Sequence, residues 1–333
     1  MIHVIAPGLE TTVQDFPGRR GLRAVGIPPS GPYDDRSFRI GNALLGNAVS
    51  AAGLEIQLIG PTLRFDVAST VALTGAVTDA TLDGRPLPMW QTVEVRAGQV
   101  LNIGTAVRGI RSYLTIAGGI RSQPVLGSRS TFVRAGIGGI GGRALAAGMQ
   151  IPIARTGPVP PRLLAPPAVP DFGHYVAIDV VLGPHSDWLT PAGHQAFLDA
   201  PWTVTAQSDR TGCRLVGPAL EFSDRALNKP PDNGGDPSNV VNTGYPLGGV
   251  NLAGTSPIVL PVDGPSQGGF ITPYVIAGAS MWRLAQVRGG HQIRFTAIDR
   301  DSARNRLIEH ENACAGAEYL VKVDELTTAS GAA

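Results

Sequence analysis

Apolar residues along this chain fall in short runs separated by turn-forming residues, and only rarely at the spacing of an amphipathic helix. The stretch GLEIQLIG at 53–60 sets Leu54, Ile56 and Leu58 against Glu55 and Gln57, the period of a strand with one buried face. Runs at 69–75 (STVALTG), 92–95 (TVEV), 99–104 (QVLNIG), 111–119 (RSYLTIAGG), 174–183 (HYVAIDVVLG), 257–264 (PIVLPVDG) and 291–298 (HQIRFTAI) predict further strands. Helices are few. Asp34 offers an N-cap ahead of Phe38, Ile40, Ala43, Leu44 and Leu45, which predicts a helix to about Asn47. Thr190 before Pro191 opens a second over PAGHQAFLDA, and SARNRLIEHEN at 302–312 is a third. Short strands at this density predict a mainly β fold built of barrels.

A length of 333 residues, 43% of them hydrophobic, predicts two domains. The segment 155–173 holds six prolines and cannot enter a sheet interior, so the expected division is an N-terminal lobe at 1–156, a Pro-rich linker at 157–172 and a C-terminal lobe at 173–333. The stretch NKPPDNGGDPSN at 228–239 reads as a long surface loop of the second lobe. The formal net charge is +1 with no run of either sign, which excludes nucleic acid and anionic membrane as partners. Lys229 and Lys322 are the only lysines, leaving little room for Schiff-base or P-loop chemistry. Cys213 and Cys314 form no CxxC, and neither is read at ligand spacing from a histidine, so no metal is expected. The start MIHVIAPGLE lacks a signal peptide's pattern, and no apolar run approaches ~18 residues, so a soluble cytoplasmic protein is expected.

Several short stretches raise questions of chemistry. GIGGIG at 136–141 matches GxGxxG, but no helical run follows and no acid lies ~20 residues on, so dinucleotide binding is not expected. His185 and His194 do not share a helical face and read as exposed or capping residues. Ser30 and Ser128 lie next to glycine without the GxSxG context, which leaves them hydrogen-bond donors and not nucleophiles. In VDGPSQGGF, Asp263 follows an apolar run; an Asp-Gly turn accounts for it as well as a site does, with Ser266 and the Gly268–Gly269 amides holding an anionic or amide-like ligand. GIPPSGPYDD at 26–35 ends a rigid turn on two carboxylates, of which Asp34 either caps the next helix or faces a cavity.

Five ordered blocks carry a resemblance: 11–47 (TTVQDFPGRRGLRAVGIPPSGPYDDRSFRIGNALLGN), 52–65 (AGLEIQLIGPTLRF), 126–132 (LGSRSTF), 207–218 (QSDRTGCRLVGP) and 260–270 (LPVDGPSQGGF). Together they resemble the biotin-dependent carboxyltransferase family, which includes KipA-like proteins, allophanate hydrolase subunit 2, the C subunit of 5-oxoprolinase and the A part of the urea carboxylase carboxyltransferase domain. GIPPSGP, NLAGTSPIVLPVDGPSQGGF and MWRLAQVRGGHQIRF are most similar to the urea carboxylase type.

The resemblance implies cyclophilin-like β-barrel lobes and an enzyme component that transfers carboxyl from carboxybiotin, borne on a separate carrier protein, to a urea-like or amide nitrogen. It also implies partners: a KipI-like subunit, biotin carboxylase and the biotin carboxyl carrier. Such transfer needs a dry hollow, fixed donors for developing negative charge, and a carboxylate that holds and deprotonates the acceptor. Carried onto this sequence, the chemistry falls to Asp263, Asp34 and Arg214, with Gln14, Asp15, Ser30, Gly31, Ser128, Arg129, Arg210, Ser266, Gly268 and Gly269 around substrate and biotin. Each arginine of the set suits a carboxylate, and equally an ion pair with Glu55 or Asp209. Two alternatives stay open: the C subunit of 5-oxoprolinase, acting in an ATP-dependent ring opening, and a non-catalytic protein that binds a KipI-like regulator.

Overall fold

The runs of the sequence form strands, and their burial explains why some alternate and others do not. The computed structural model describes residues 1–315 and 320–322. The chain divides into two compact units, the first made of Met1–Arg20, Ser30–Phe172 and the residues from His310, the second of Gly21–Pro29 and Gly173–Glu309. Two pieces therefore lie outside the lobes expected at 1–156 and 173–333. Residues 21–29 go with the second unit, where Arg23 Nη2 donates to the Tyr245 carbonyl at 2.7 Å. Residues 320–322 belong to the first unit, where Leu320–Lys322 pairs with Arg162–Leu164. That strand lies inside the expected linker, in its proline-free part, so 157–172 is more than a linker.

The first unit contains β1 (Ile2–Ala6), β2 (Glu10–Gln14), β3 (Gly53–Gln57), β4 (Thr62–Phe65), β5 (Ser69–Thr78), β6 (Thr81–Leu82), β7 (Arg85–Pro86), β8 (Thr92–Val95), β9 (Val100–Asn102), β10 (Ala106–Ile116), β11 (Gln150–Ile151) and β12 (Arg162–Leu164). They make a six-stranded sheet, β11-β1-β4-β9-β6-β7, and a five-stranded sheet, β2-β3-β10-β5-β8. Ile2, Leu63, Phe65 and Leu101 of the first meet Leu54, Val71, Leu73 and Leu114 of the second in one core. Helix α1 (Asp35–Leu44) packs on β5 and β10 and buries Phe38, Ile40 and Leu44, each worth about 1.5–3 kcal/mol. Gly41 is what allows the approach, since a Cβ there would stand 2.9 Å from Thr115 Oγ1. With both faces covered, β5 is buried from Thr70 to Ala76 and reads as an unbroken apolar run.

The second unit contains β13 (Tyr175–Leu182), β14 (Trp202–Val204), β15 (Cys213–Val216), β16 (Asn239–Gly244), β17 (Gly249–Ala253), β18 (Ser256–Val259), β19 (Gln267–Phe270), β20 (Tyr274–Ile276) and β21 (Gln292–Ala297). Seven of them close a barrel in the order β13-β20-β17-β18-β15-β14-β21, while β16 and β19 form a separate ribbon. Helix α2 (Pro191–Asp199), capped by the Thr190 hydroxyl on Gly193 N, stacks Phe197 on Tyr274 and Phe295 at 4.4 and 4.6 Å between ring centroids. Helices α3 (Asp224–Leu227), α4 (Met281–Leu284) and α5 (Arg300–Ala315), then β22 (Leu320–Lys322), complete the described chain. The fold is mainly β, as expected.

At the start of β21 burial holds the His291 imidazole below its ordinary value of 6.5, with the charges of His174 and Arg288 adding to the effect; burial lowers His185 as well. A histidine whose pKa is lower folded than unfolded binds fewer protons in the native state, so stability falls as pH drops below about 6.5. Thermal unfolding followed from about pH 7.5 to about pH 5 should show a falling Tm, with a flatter fall in H291Q. Equal slopes in the two proteins would remove His291 from this explanation.

Candidate functional site

The turn that opens α1 is built into a buried polar network of the first unit. Tyr33 N donates to Glu55 Oε2 at 2.8 Å, Asp34 N donates to the Tyr113 hydroxyl at 2.8 Å, and that hydroxyl donates to Glu55 Oε2 at 2.9 Å. Arg111 Nε lies 3.6 Å from Glu55 Oε1, with its guanidinium 4.7 Å over the Tyr33 ring. Burial, then the charges of Glu55 and Asp34, push the Tyr113 phenol well above its ordinary range, so it stays a donor. The Asp34 carboxylate accepts from Ser37 N at 2.9 Å and from Ser37 Oγ at 2.6 Å. It is fully buried at the helix start, so of the two roles open to Asp34 the geometry has the cap.

Four of the expected residues meet in a second cluster of the same unit. Asp15 Oδ1 accepts from the hydroxyl of Ser128, from Ser130 N at 3.0 Å and from Ser130 Oγ at 2.6 Å, while Oδ2 accepts from Arg129 N at 2.7 Å. A carboxylate with four donors is a clamp for the loop at 128–130, and this is the role the geometry gives to Asp15 and Ser128. Arg129 turns its Nε to the Ser122 carbonyl at 2.9 Å. Gly31, at φ +79, lies against the backbone that follows β2: a Cβ there would stand 3.3 Å from the Asp15 and Pro17 carbonyls.

Two of the expected residues in this unit each carry a buried polar atom without a hydrogen-bond partner among the described residues. Gln14 is fully buried, and its Nε2 donates to Thr12 Oγ1 at 3.0 Å and the Thr131 carbonyl at 3.2 Å, but its Oε1 has no hydrogen-bond partner among the described residues. Ser30 is buried too, its Oγ equally unpartnered, and its backbone sits at φ +54, a left-handed conformation that costs a non-glycine residue about 1–2 kcal/mol. Unsatisfied buried groups on a strained turn are the pattern of a ligand site.

In the second unit Asp263 N donates to the Arg210 carbonyl at 2.9 Å, and Arg210 Nε donates to Asp263 Oδ2 at 2.7 Å. Both side chains are buried, and Asp263 Oδ1 has no hydrogen-bond partner among the described residues. The turn beyond is closed by Gly264 N on the Pro261 carbonyl at 2.9 Å, and Tyr245 N donates to the Ser266 carbonyl at 2.8 Å. Arg214 departs from expectation. It is exposed on β15 between buried Cys213 and Leu215, and its guanidinium makes no hydrogen bond or ion pair among the described residues. Gly268 and Gly269 do not offer a free amide cradle either: they belong to β19, which pairs with β16, and Gly268 makes room for the Tyr245 ring, 2.7 Å from where its Cβ would be. Asp209 Oδ1 accepts from Thr211 N at 2.7 Å and Gly212 N at 3.0 Å, shaping the turn that carries Arg210.

The remaining candidates are structural. GIGGIG is followed by turns and no helix, and Gly138 and Gly139 are left-handed where they pass the Ser130 carbonyl and the Thr131 hydroxyl. His194 bridges the Tyr274 hydroxyl and the Ser186 carbonyl, while His185 accepts from Thr272 N at 3.1 Å. A cavity of about 470 Å³ beside β13 and β21, lined by Tyr175, Pro201 and Arg294 among others, holds none of the expected residues. No helix among the described residues is long and apolar enough to cross a membrane. One cluster was missed: α5 sets His310 and Cys314, four residues apart, on one face beside Asp35, so a cysteine does lie at ligand spacing from a histidine.

Known proteins match the whole of this arrangement. The urea amidolyase of Saccharomyces cerevisiae is 35% identical over 91% of the chain, and the C subunit of the Escherichia coli 5-oxoprolinase is 35% identical over 91% of the chain and 93% of its own length. The crystal structure of the Kluyveromyces lactis urea amidolyase superposes with a TM-score of 0.89 at 34% identity over 94% of the chain. The chain spans 17% of the yeast enzyme and 20% of the Kluyveromyces structure. The carboxyltransferase domain model, subdomains A and B, matches residues 25–297, and with these relatives it shows that the chain belongs to the carboxyltransferase domain family.

Proposed function

We propose that this chain is a carboxyltransferase component that moves the carboxyl group of carboxybiotin to the nitrogen of a urea-like or amide acceptor, in complex with a KipI-like subunit. One observation carries the reading: the buried Asp263 carboxylate, gripped through Oδ2 and its backbone by Arg210, keeps Oδ1 without a partner among the described residues. A buried acceptor atom left open beside a fixed cation suits an N–H of urea, which it holds and deprotonates as the nitrogen is carboxylated. Arg210 fixes the angle of the carboxylate and keeps it from turning to a closer backbone donor.

Biotin's ureido ring offers one carbonyl and an N–H, and the residues of the first unit fit it: Ser30 Oγ is a donor and Gln14 Oε1 an acceptor, both buried and unpartnered among the described residues. Carboxybiotin supplies the activated carboxyl when bound. Ser30 and Gln14 hold the ring, and their burial excludes the water that would stabilise the carboxylated form. The strained Ser30 gives a separate prediction. S30G removes both the left-handed penalty and the orphaned hydroxyl, so it should raise stability by up to about 1 kcal/mol while weakening transfer. A variant less stable than the parent, or equally active, would leave Ser30 without a role.

The experiment is co-expression with a KipI-like subunit, biotin carboxylase and a biotinylated carrier, then labelled bicarbonate and ATP with urea, guanidine and 5-oxoproline as parallel acceptors. Label on urea or guanidine is the expected result. A second reading is favoured by the match to the C subunit of 5-oxoprolinase over 93% of that protein, and it predicts ATP-dependent opening of 5-oxoproline instead. No transfer to any acceptor, alongside tight binding of the KipI-like protein, would support a regulatory role and overturn both.

A further inference from the structure

Asp35, His310 and Cys314 offer a carboxylate oxygen, an imidazole nitrogen and a thiol sulfur within 4.8 Å of one another, at a place in the first unit that the proposed carboxyl transfer does not use. The sequence accounts for the approach: His310 and Cys314 lie one turn apart on α5, and Asp35 is the first residue of α1, positioned by the Asp34 cap.

Two explanations compete, a catalytic thiol relay and an ion site. In a relay the acid and the thiol bind opposite nitrogens of the ring, so that a proton passes through it. Here both contacts fall on one nitrogen, with His310 Nε2 2.9 Å from Asp35 Oδ2 and 3.5 Å from Cys314 Sγ. A single N–H on that nitrogen answers the carboxylate and leaves the thiol only the long contact at 3.5 Å. Three donor atoms gathered within 4.8 Å of one another are what a shared cation requires. The spacing agrees: with zinc bonds of about 2.0–2.3 Å at the tetrahedral angle, the O–N edge is about 3.3 Å and the N–S edge about 3.6 Å.

We propose that Asp35 Oδ2, His310 Nε2 and Cys314 Sγ form a zinc site, with water as the fourth ligand. Thiolate with imidazole and carboxylate selects zinc over magnesium or calcium. On binding, the thiol releases its proton to solvent and the neutral imidazole coordinates through Nε2. Arg39 and Arg36 are the cations whose charges reach Cys314; Glu311 is the nearer partner of Arg39 at 2.6 Å against 3.4 Å for Asp35. The site ties the start of α1 to the last turn of α5 and keeps one position open to water.

Cobalt titration of the full chain, purified without chelators, tests this. One equivalent should produce a thiolate-to-cobalt charge-transfer band and tetrahedral d–d bands, both removed by one equivalent of zinc. C213S, which alters the other cysteine, should keep the band; C314S should lose it, and H310Q should weaken zinc binding by about 100-fold or more. X-ray absorption of the zinc-loaded wild-type chain needs no variant and should find one sulfur at about 2.3 Å with nitrogen or oxygen in the other positions. No thiolate band in the wild type, a band that survives C314S, or a sulfur count other than one would overturn the proposal.

Discussion

D263N is expected to slow carboxyl transfer by about 10²- to 10⁴-fold in the reconstituted complex, the range a positioned acid–base group contributes. Asparagine keeps the size of the side chain and one oxygen for Arg210, so the turn at 261–264 and the closing strands of the barrel retain their shape. It replaces the anion that takes the acceptor's proton, and that loss is specific to the reaction. The buried guanidinium also loses its counter-charge, and breaking such a pair costs about 3–5 kcal/mol when nothing replaces it. Asparagine, which still accepts a hydrogen bond, should cost less, so a lower Tm with unchanged assembly on size exclusion is the accompanying result. Wild-type turnover in a folded D263N complex would remove Asp263 from the chemistry.

The largest stability effect is expected at Asp15. Its carboxylate accepts from Ser128, Arg129 and twice from Ser130, all inside the first unit. Hydrogen bonds to a charged acceptor are worth about 1.5–3 kcal/mol each, and D15A would leave buried donors unsatisfied as well. The losses are not additive in a shared network, and a net destabilisation of about 3–5 kcal/mol is expected by denaturant unfolding. Because Gly31 lies against the backbone of Asp15 and Pro17, transfer should fall along with stability. A change under about 1 kcal/mol would mean that the loop at 128–130 holds its shape without the clamp.

What the sequence made legible follows from which signals are local. The alternation of 53–60, the cap at Asp34 and the Thr190–Pro191 start depend on neighbouring residues, and each has its counterpart in β3, α1 and α2. Strand β2 was not legible, because ETTVQ is polar by composition and yet buried on both faces, with the Gln14 amide and the Val13 carbonyl bonded to Thr131, more than a hundred residues away. Asp263 and Arg210 were each visible as candidates, but 53 residues separate them, and only the fold reveals that they grip one another. Asp15 looked like a ligand residue for the same reason it is a clamp: a carboxylate beside serine and arginine suits both. Gly268 and Gly269 suggested an anion cradle, whereas the space at Gly268 is taken by Tyr245 and Gly269 lies against the Val240 carbonyl. The pairing of His310 with Cys314 was present in the sequence as HENAC, and the helical period over 302–312 was the signal that could have exposed it.

The central claim is that this chain, with its partner subunit, passes a carboxyl group from biotin to an acceptor nitrogen held by Asp263. A single-turnover experiment tests it most directly: carrier bearing ¹³C-carboxybiotin is mixed with the complex and urea, without ATP, and the labelled carbon is followed by NMR. The account predicts that the carboxybiotin resonance decays while a new one appears on the urea nitrogen, in the wild type and not in D263N. Label emerging only as bicarbonate, at the rate seen with carrier alone, would contradict it.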